Sequence, residues 1–248
     1  MIPFFRKIRK KMADDNRPLK YMRYAIGEIV LVVIGILIAL QINNWNEARK
    51  QKIEEIKTLK SLQSEFTDNL IKFDLNYLNQ KNRDGITKRL LDPEISEVHF
   101  EILDSLIFYL GWNYKFNPST GIHNSVINSG KIEIISNDSL KNAISNFNNF
   151  LIDYEEEEIG ANHYGTNYLT PYLRSKLFYR YPFKNRTEQQ YQYDSNNYRK
   201  VIESDRTRNE LLFYWSYLLI TLEKGKDLRH EMTRIINMIE GELNNLQN

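Results

Sequence analysis

The side chains that most often carry chemistry are few in this sequence, and they lack the spacing of known sites. Cysteine is absent, which excludes disulfides, thiol catalysis and thiolate metal sites. The four histidines are His99, His123, His163 and His230. None belongs to a His-x-x-x-His or Glu-x-x-His pair, so the ligand spacing of a zinc or di-iron site is missing. We expect surface or hydrogen-bonded core histidines, and no metal or cofactor.

Catalytic motifs are also missing from the sequence. It contains no Gly-x-Ser-x-Gly elbow, no phosphate-binding glycine loop and no dinucleotide fingerprint. Pairs of Asp and Glu are frequent, but on charged helices their proximity does not indicate a paired general acid and base. We therefore predict a non-enzymatic protein. The alternative is an extracytoplasmic enzyme acting on cell-envelope glycan or lipid, which requires a deep pocket lined by carboxylates or a histidine.

The best candidate for recognition is the tyrosine- and arginine-rich stretch of residues 164–198. Tyr and Arg are enriched in binding hot spots because they give amphipathic contact area at a low entropy cost. The partner-binding candidates are Tyr168, Tyr172, Arg174, Tyr179, Arg180 and Tyr181. A sugar or a peptide would suit such a surface. The structural alternative is that these tyrosines seal the end of a helical bundle with their hydroxyl groups in water.

One apolar stretch, residues 28–40, indicates that the candidate residues above belong to a membrane-anchored protein. As a helix, residues 24–42 rise about 28 Å, close to the roughly 30 Å hydrocarbon core of a bilayer. Glu28 is the one charged residue in that range, and Tyr24 and Trp45 flank it as aromatic anchors. The sequence therefore predicts a transmembrane helix over residues 24–45, with the lipid bilayer as its surroundings.

The charges on either side of this helix predict its orientation. The arm of residues 1–23 holds eight Lys or Arg, whereas residues 43–47 hold none. By the positive-inside rule, residues 1–23 form a cytoplasmic arm and the C-terminal domain lies in the periplasm of a bacterial inner membrane. The alternative is a cleaved signal peptide. Ala39-Leu40-Gln41 lacks the small-x-small cleavage pattern, which favours a retained signal anchor.

The basic arm has two interpretations of its own. Apolar and basic residues alternate in residues 2–12, as in an amphipathic helix that lies on an anionic leaflet. A plain topology signal needs the charge alone and explains most of the pattern. No nucleic-acid-binding fold motif accompanies the charge, so we predict no nucleic-acid partner.

Three residues of the span fall on one helix face: Glu28, Gly35 and Ala39. Gly35 and Ala39 form a small-x-x-x-small pair that permits close approach of another helix. We predict a transmembrane helix–helix contact there, either in a parallel homodimer or with another membrane protein. Glu28 is a candidate proton relay or subunit contact, but it also lies close enough to the headgroups to snorkel.

The rest of the chain predicts an all-α fold in which the transmembrane helix continues into a stalk and an elongated extracytoplasmic bundle. Steps of three and four between apolar residues indicate a stalk or first bundle helix over residues 46–84. A turn signal at residues 82–85 predicts its end. The stripe suits a two-chain coiled coil or an intrachain bundle; its aromatic residues favour the bundle at the distal end. Residues 85–248 are expected to form a periplasmic helical domain that packs on the stalk and binds a membrane or periplasmic protein.

Local signals within that domain give further expectations. Ser136 or Asn137 marks a helix start, and a final long helix begins near Asp205. The short apolar run 132–135 is consistent with a strand. The acidic run 155–158 suggests a solvated face, and residues 184–197 a polar loop.

Three segments resemble an uncharacterised family of small single-span membrane proteins from flavobacteria and related Bacteroidetes. They are residues 24–47, residues 4–10 and residues 129–137. The resemblance implies an inner-membrane protein that is helical outside the membrane and has no assigned activity. It implies no functional residues.

Overall fold

The computed structural model describes residues 18–177 and 187–247, and these residues are helical with no strand. The all-α prediction is therefore confirmed for this part of the chain. We number the helices α1 to α7. Their bounds are α1 Pro18–Leu91, α2 Phe100–Leu110, α3 Gly121–Asn128, α4 Asp138–Tyr164, α5 Thr170–Lys176, α6 Glu188–Ile202 and α7 Asp205–Gln247. Short 3-10 helices cover Pro93–Glu97 and Lys131–Ile134, and a π-helix covers Gly165–Leu169.

The length of α1 follows from the placement of proline. The helix begins at Pro18, where the missing N–H costs nothing, and it ends two residues before Pro93. The predicted turn at residues 82–85 is wrong, because α1 continues through Gly85 to Leu91. Helical glycine costs about 1 kcal/mol relative to alanine. Burial of Leu90 in the bundle core offsets that cost.

The chain divides into two compact units, Met1–Glu55 and Ile56–Asn248, and we call the second the helical bundle. In the first unit, the apolar side chains from Ile29 to Leu40 are exposed. Among the described helices, α1 is the one long and apolar enough to cross a membrane, and it lies near the N-terminus. This agrees with a transmembrane helix at the predicted place.

Helix starts in the bundle follow their capping residues. Asn137 accepts a hydrogen bond from the backbone N–H of Leu140 at 3.1 Å, as predicted for the start of α4. The predicted start of the last helix is also confirmed, since α7 begins at Asp205. Two other local predictions are wrong. The run 132–135 is mostly 3-10 helix, and α6 replaces the polar loop over residues 188–197.

The reason for α6 is a long-range contact. Tyr198 is fully buried, and its hydroxyl donates a hydrogen bond to Asp104 of α2 at 2.7 Å. Its ring packs edge-on against Phe100. Residues 188–197 are therefore helical despite their polar composition, because Tyr198 of the same helix bonds to Asp104, 94 residues earlier in the chain.

The bundle core consists of two apolar clusters. The first includes Leu59, Leu62, Phe66, Phe73, Phe147, Leu151, Leu228, Ile235 and Ile239. The second includes Leu90, Phe100, Leu103, Ala161, Tyr198, Leu211 and Leu218. The aromatic residues of α1 thus pack inside the chain's own bundle, as predicted for the distal part of the stripe. Along α1, α4 and α7, polar residues occupy the buried positions between the clusters.

Candidate functional site

Between the two apolar clusters lies a buried polar layer, which centres on Glu158 of α4. Its Oε1 accepts hydrogen bonds from Asn76 at 2.6 Å, Tyr154 at 2.8 Å and Gln80 at 3.3 Å. Its Oε2 accepts one from the backbone N–H of Phe116 at 2.9 Å. Glu158 is therefore a fully bonded carboxylate in the core, and the prediction of a solvated face fails at this position.

Arg83 supplies the opposite charge to this layer. The guanidinium is 1% exposed, and its Nη1 donates to Gln80 and to Asn162, each at 2.9 Å. Gln80 thus bridges Arg83 and Glu158. The guanidinium also lies 5.3 Å from the centre of the Tyr214 ring. The layer consequently holds one buried cation and one buried anion, which limits the cost of burying either charge.

Two tyrosines in the layer have perturbed acidities. Burial raises the pKa of Tyr154, and the neighbouring Glu158 carboxylate raises it further. Burial also raises the pKa of Tyr214. The positive charge of the nearby Arg83 opposes this rise. No hydrogen bond joins the Arg83 N–H groups to the Tyr214 hydroxyl. Both phenols therefore stay protonated at neutral pH. The layer fixes the alignment of α1, α4 and α7, and it lies inside the bundle.

A second constellation lies at the surface, where the end of α4 meets α7. We call Tyr164, Tyr168, Phe213 and Tyr217 the aromatic surface. The Tyr164 ring stacks on Tyr168 at 5.3 Å and lies 5.4 Å from Tyr217. Phe213 also stacks with the Tyr164 ring, at 6.4 Å. Tyr168 and Phe213 are 54% and 62% exposed, so the cluster presents ring faces to solvent.

Polar contacts hold the aromatic surface in place. The Tyr164 hydroxyl donates to Glu210 at 2.8 Å, and Arg206 donates to the other oxygen of Glu210 at 2.8 Å. Burial raises the pKa of Tyr164, and the Glu210 carboxylate adds to that rise. Arg206 also lies 5.6 Å from the centre of the Tyr172 ring, whose hydroxyl pairs with Thr207 at 3.0 Å. The central ring is thus fixed, which reduces the entropy lost when a partner binds.

The structure places the predicted partner-binding residues in three groups. Tyr168 belongs to the aromatic surface, and Tyr172 joins it through Arg206. Arg174 is exposed on α5 and has no place in the cluster. Tyr179, Arg180 and Tyr181 lie outside the described residues. Sequence reasoning missed Phe213, although a phenylalanine off the apolar stripe of α7 is a usable signal.

The predicted membrane contact residues lie on one continuous helix. Gly35 and Ala39 are exposed, and a Cβ at Gly35 would meet nothing within 4 Å. Glu28 is half-buried in the same helix. Steps of seven and four residues put the three on one face. The face is open to another helix.

The histidines show no ligand cluster. Within residues 18–177 and 187–247, no group of three or more His, Asp or Glu side chains is placed to hold a metal ion. His123 is a core residue whose Nε2 lies 2.9 Å from the Ile144 carbonyl oxygen. Its ring packs edge-on against Phe147 at 5.6 Å.

Comparison with known proteins gives a family without an assigned activity. A model described as a family of unknown function, DUF6090, matches residues 28–156. No curated protein and no solved structure matches the chain. The match covers the apolar span, the α1 part of the polar layer and most of α4, just over half of the chain. The chain therefore belongs to the DUF6090 family.

Proposed function

We propose that this chain is a membrane-anchored, non-enzymatic protein whose helical bundle binds a protein partner as a scaffold, an accessory subunit or a sensor input. The observation that carries the proposal is the aromatic surface. The Tyr168 and Phe213 rings are large and exposed, and they stack on the Tyr164 ring, which a hydrogen bond to Glu210 holds in place. Exposed aromatic area of this kind is enriched in binding hot spots.

The proposed setting is the bacterial inner membrane, in flavobacteria and related Bacteroidetes. The retained signal anchor has its N-terminus in the cytoplasm and its bundle in the periplasm, because the arm before the span is rich in Lys and Arg. The natural absence of cysteine permits a clean test. A single cysteine at Ser64 should react with a membrane-impermeant maleimide in intact spheroplasts, and one at Ser136 should do the same. Protection of both cysteines until lysis would reverse the orientation.

The partner test uses cross-linking in the native cell. A photoreactive amino acid at Asn167, next to the aromatic surface, should give one discrete adduct with a partner. Phe213→Ser should reduce that adduct at least tenfold, because it removes the most exposed ring. Leu75→Ser is the matched control, since Leu75 is 64% exposed on α1. Equal loss in both variants, or recovery of uncross-linked monomer alone, would contradict the proposal.

The membrane helix supplies a second proposed contact, through Glu28, Gly35 and Ala39. A parallel homodimer, or docking on another membrane helix, would use this face because the small residues allow close approach. Gly35→Leu should lower the mass of the detergent-solubilised assembly or abolish native cross-links. Unchanged mass and cross-links would remove the contact. The aromatic-surface proposal does not depend on this result.

A further inference from the structure

We infer that the partner segment that binds the aromatic surface is cationic, with basic side chains interspersed among apolar ones. This inference rests on the proposed function and specifies the chemistry of the partner. It follows from the exposed surface along the α4–α7 seam, which we call the groove and which joins the aromatic surface to an excess of carboxylates.

The groove runs between antiparallel α4 and α7. At one end the Tyr164 and Tyr217 rings meet, and a Cβ at Gly160 would lie 3.6 Å from Tyr217. One turn further, the Thr221 hydroxyl donates to the Glu157 carbonyl oxygen at 3.1 Å. From residue 164 back to residue 153, α4 rises about 16 Å, enough for several residues of a bound peptide.

The apolar half of the groove has vacant contact area. Ile220 lies two turns from Phe213 on the same face of α7, and it is 42% exposed. With Phe213 and Tyr168 it forms a line of exposed apolar side chains beside the α4–α7 seam. Apolar anchors of a partner would bury these side chains.

The other half of the groove is acidic. Lys224 forms an ion pair with Asp153 at 3.0 Å. That hydrogen-bonded carboxylate, together with the nearby Asp227 and Glu157, raises the pKa of Lys224. Glu157 follows Asp153 by one turn on α4, and Asp227 follows Lys224 by one turn on α7, so carboxylates outnumber basic groups around this ion pair. At the aromatic end, Arg206 neutralises Glu210.

This charge distribution selects among occupants. An anionic leaflet or a nucleic acid would be repelled by the acidic half of the groove. A neutral glycan would use the rings but gain nothing from the carboxylates. A segment with Lys or Arg among apolar residues matches both halves, because its cations meet the excess carboxylates while its apolar side chains cover Phe213 and Ile220.

The test separates charge from shape. In Glu157→Gln/Asp227→Asn, the excess charge is removed while the Asp153–Lys224 pair and the aromatic surface remain. Asp68→Asn/Glu240→Gln is the matched control, because both carboxylates are exposed elsewhere on the bundle. In the cellular cross-linking assay at Asn167, the groove variant should reduce the adduct at least fivefold, and the control should leave it unchanged.

A defined probe keeps the inference testable even without a captured partner. The full chain in nanodiscs of zwitterionic lipid should bind a fluorescent peptide of three Lys-Phe-Lys-Ser repeats, after subtraction of binding to empty nanodiscs. Glu-Phe-Glu-Ser repeats should bind at least tenfold more weakly. Affinity should fall at least fivefold in the groove variant at low salt and much less at high salt, where exposed charges are screened.

Three results would overturn the inference. They are equal binding of the acidic and basic peptides, binding that is insensitive to the groove variant, and an adduct formed solely between two copies of this chain. A heterologous adduct that Phe213→Ser abolishes and Glu157→Gln/Asp227→Asn leaves intact would keep the proposed function and remove the cationic partner. Loss of the adduct in neither variant would remove both.

Discussion

Two regions of α1 are rich in the same apolar amino acids, but these side chains are exposed in one region and buried in the other. From Ile29 to Leu40 every large apolar side chain is exposed, with Leu31 at 71%. Between Leu59 and Phe73 the stripe residues Leu59, Leu62, Phe66 and Phe73 are buried, and apart from Ile71 the exposed positions are polar or charged. Apolar residues all round a helix are stable in lipid, whereas a single stripe is stable against a protein core in water. The pattern around the helix therefore distinguishes the two surroundings, although the helix itself is one element.

The charged side chains of the two regions also differ in their surroundings. The span carries one acidic side chain, Glu28, near its end, where the headgroups are within reach. The bundle instead buries the charges of Arg83 and Glu158 and satisfies the carboxylate with four hydrogen bonds. Substitutions in the two regions should show how far the span depends on apolar side chains and how far the bundle depends on its buried, hydrogen-bonded charges.

The largest effect is expected where a buried charge loses its partner. Glu158→Leu would leave the Arg83 guanidinium in the core without a compensating carboxylate, and it would strand the donors of Asn76 and Gln80. We expect the free energy of unfolding to fall by about 3–5 kcal/mol. Urea unfolding of the full chain in mild detergent, followed by near-ultraviolet circular dichroism, measures this. Glu156→Leu, from the exposed part of the same acidic run, should change stability by about 0.5 kcal/mol or less.

A charge in the middle of the span should act on membrane insertion and leave the bundle intact. Ile34→Lys adds about 3–4 kcal/mol to the insertion free energy of the helix. We expect a clear shift of the protein from the membrane to the soluble or degraded fraction. Ile53→Lys, on the same helix outside the span, is the control and should stay in the membrane. If Ile34→Lys also remained fully in the membrane, the span would lie elsewhere.

Replacing a glycine by alanine should change stability in the bundle and leave it unchanged in the span. In Gly225→Ala of α7, the new Cβ would lie 2.7 Å from the Tyr77 ring and 3.1 Å from the Tyr154 ring. Overpacking of this kind costs about 1–3 kcal/mol of unfolding free energy, and the higher helix propensity of alanine returns about 1 kcal/mol, so we expect a net loss of up to about 2 kcal/mol. In Gly35→Ala the new Cβ meets nothing within 4 Å and lies outside the helical bundle, so thermal unfolding of the bundle in detergent should match that of the natural chain. A Gly225→Ala variant of natural stability would show that Tyr77 moves aside freely.

The smallest effect concerns alkaline pH. Tyr154 has an ordinary pKa of 10.0, and burial raises that pKa in the folded state. Above pH 10 the unfolded chain therefore loses a proton that the folded chain keeps. Stability is retained below pH 10 and falls as pH rises further, by about 1.4 kcal/mol per pH unit for this residue.

Urea unfolding at pH 9 and pH 11 tests this dependence, with Tyr154→Phe as the comparison. The variant should lose less stability between the two pH values, although its stability at pH 9 is lower. The membrane anchor depends on apolar contact, so extraction at pH 11 should leave the chain in the membrane fraction. Equal pH slopes in both proteins would mean that Tyr154 does not carry the alkaline sensitivity.

Local sequence signals predicted several elements correctly. The starts of α4 and α7 depend on a capping residue or an acidic first turn, which act within one turn of helix. The span depends on an uninterrupted apolar run. Short-range physics decides these features, so a single sequence is sufficient to find them.

The wrong predictions share a different cause. Residues 82–85 form a turn signal, but Arg83 has partners on α4, and α1 therefore continues. Glu158 belongs to an acidic run, yet it also follows Leu151 and Tyr154 at the spacing of the buried stripe. That spacing was a usable signal. Apart from Tyr154, the donors that surround the carboxylate could not be read from the sequence, because they come from α1 and from the segment before α3.

The sequence by itself determined the apolar span, the charge asymmetry around it and the helical class, because each depends on residues close together in the chain. The tertiary structure alone decided which carboxylate is buried, where Tyr164 and Tyr168 meet Phe213, and that the acidic and aromatic halves share one groove. Those features join α1 to α4 across 78 and 82 positions, and α4 to α7 across about 50 to 70 positions. Helix packing brings them together, and no local pattern specifies the pairing.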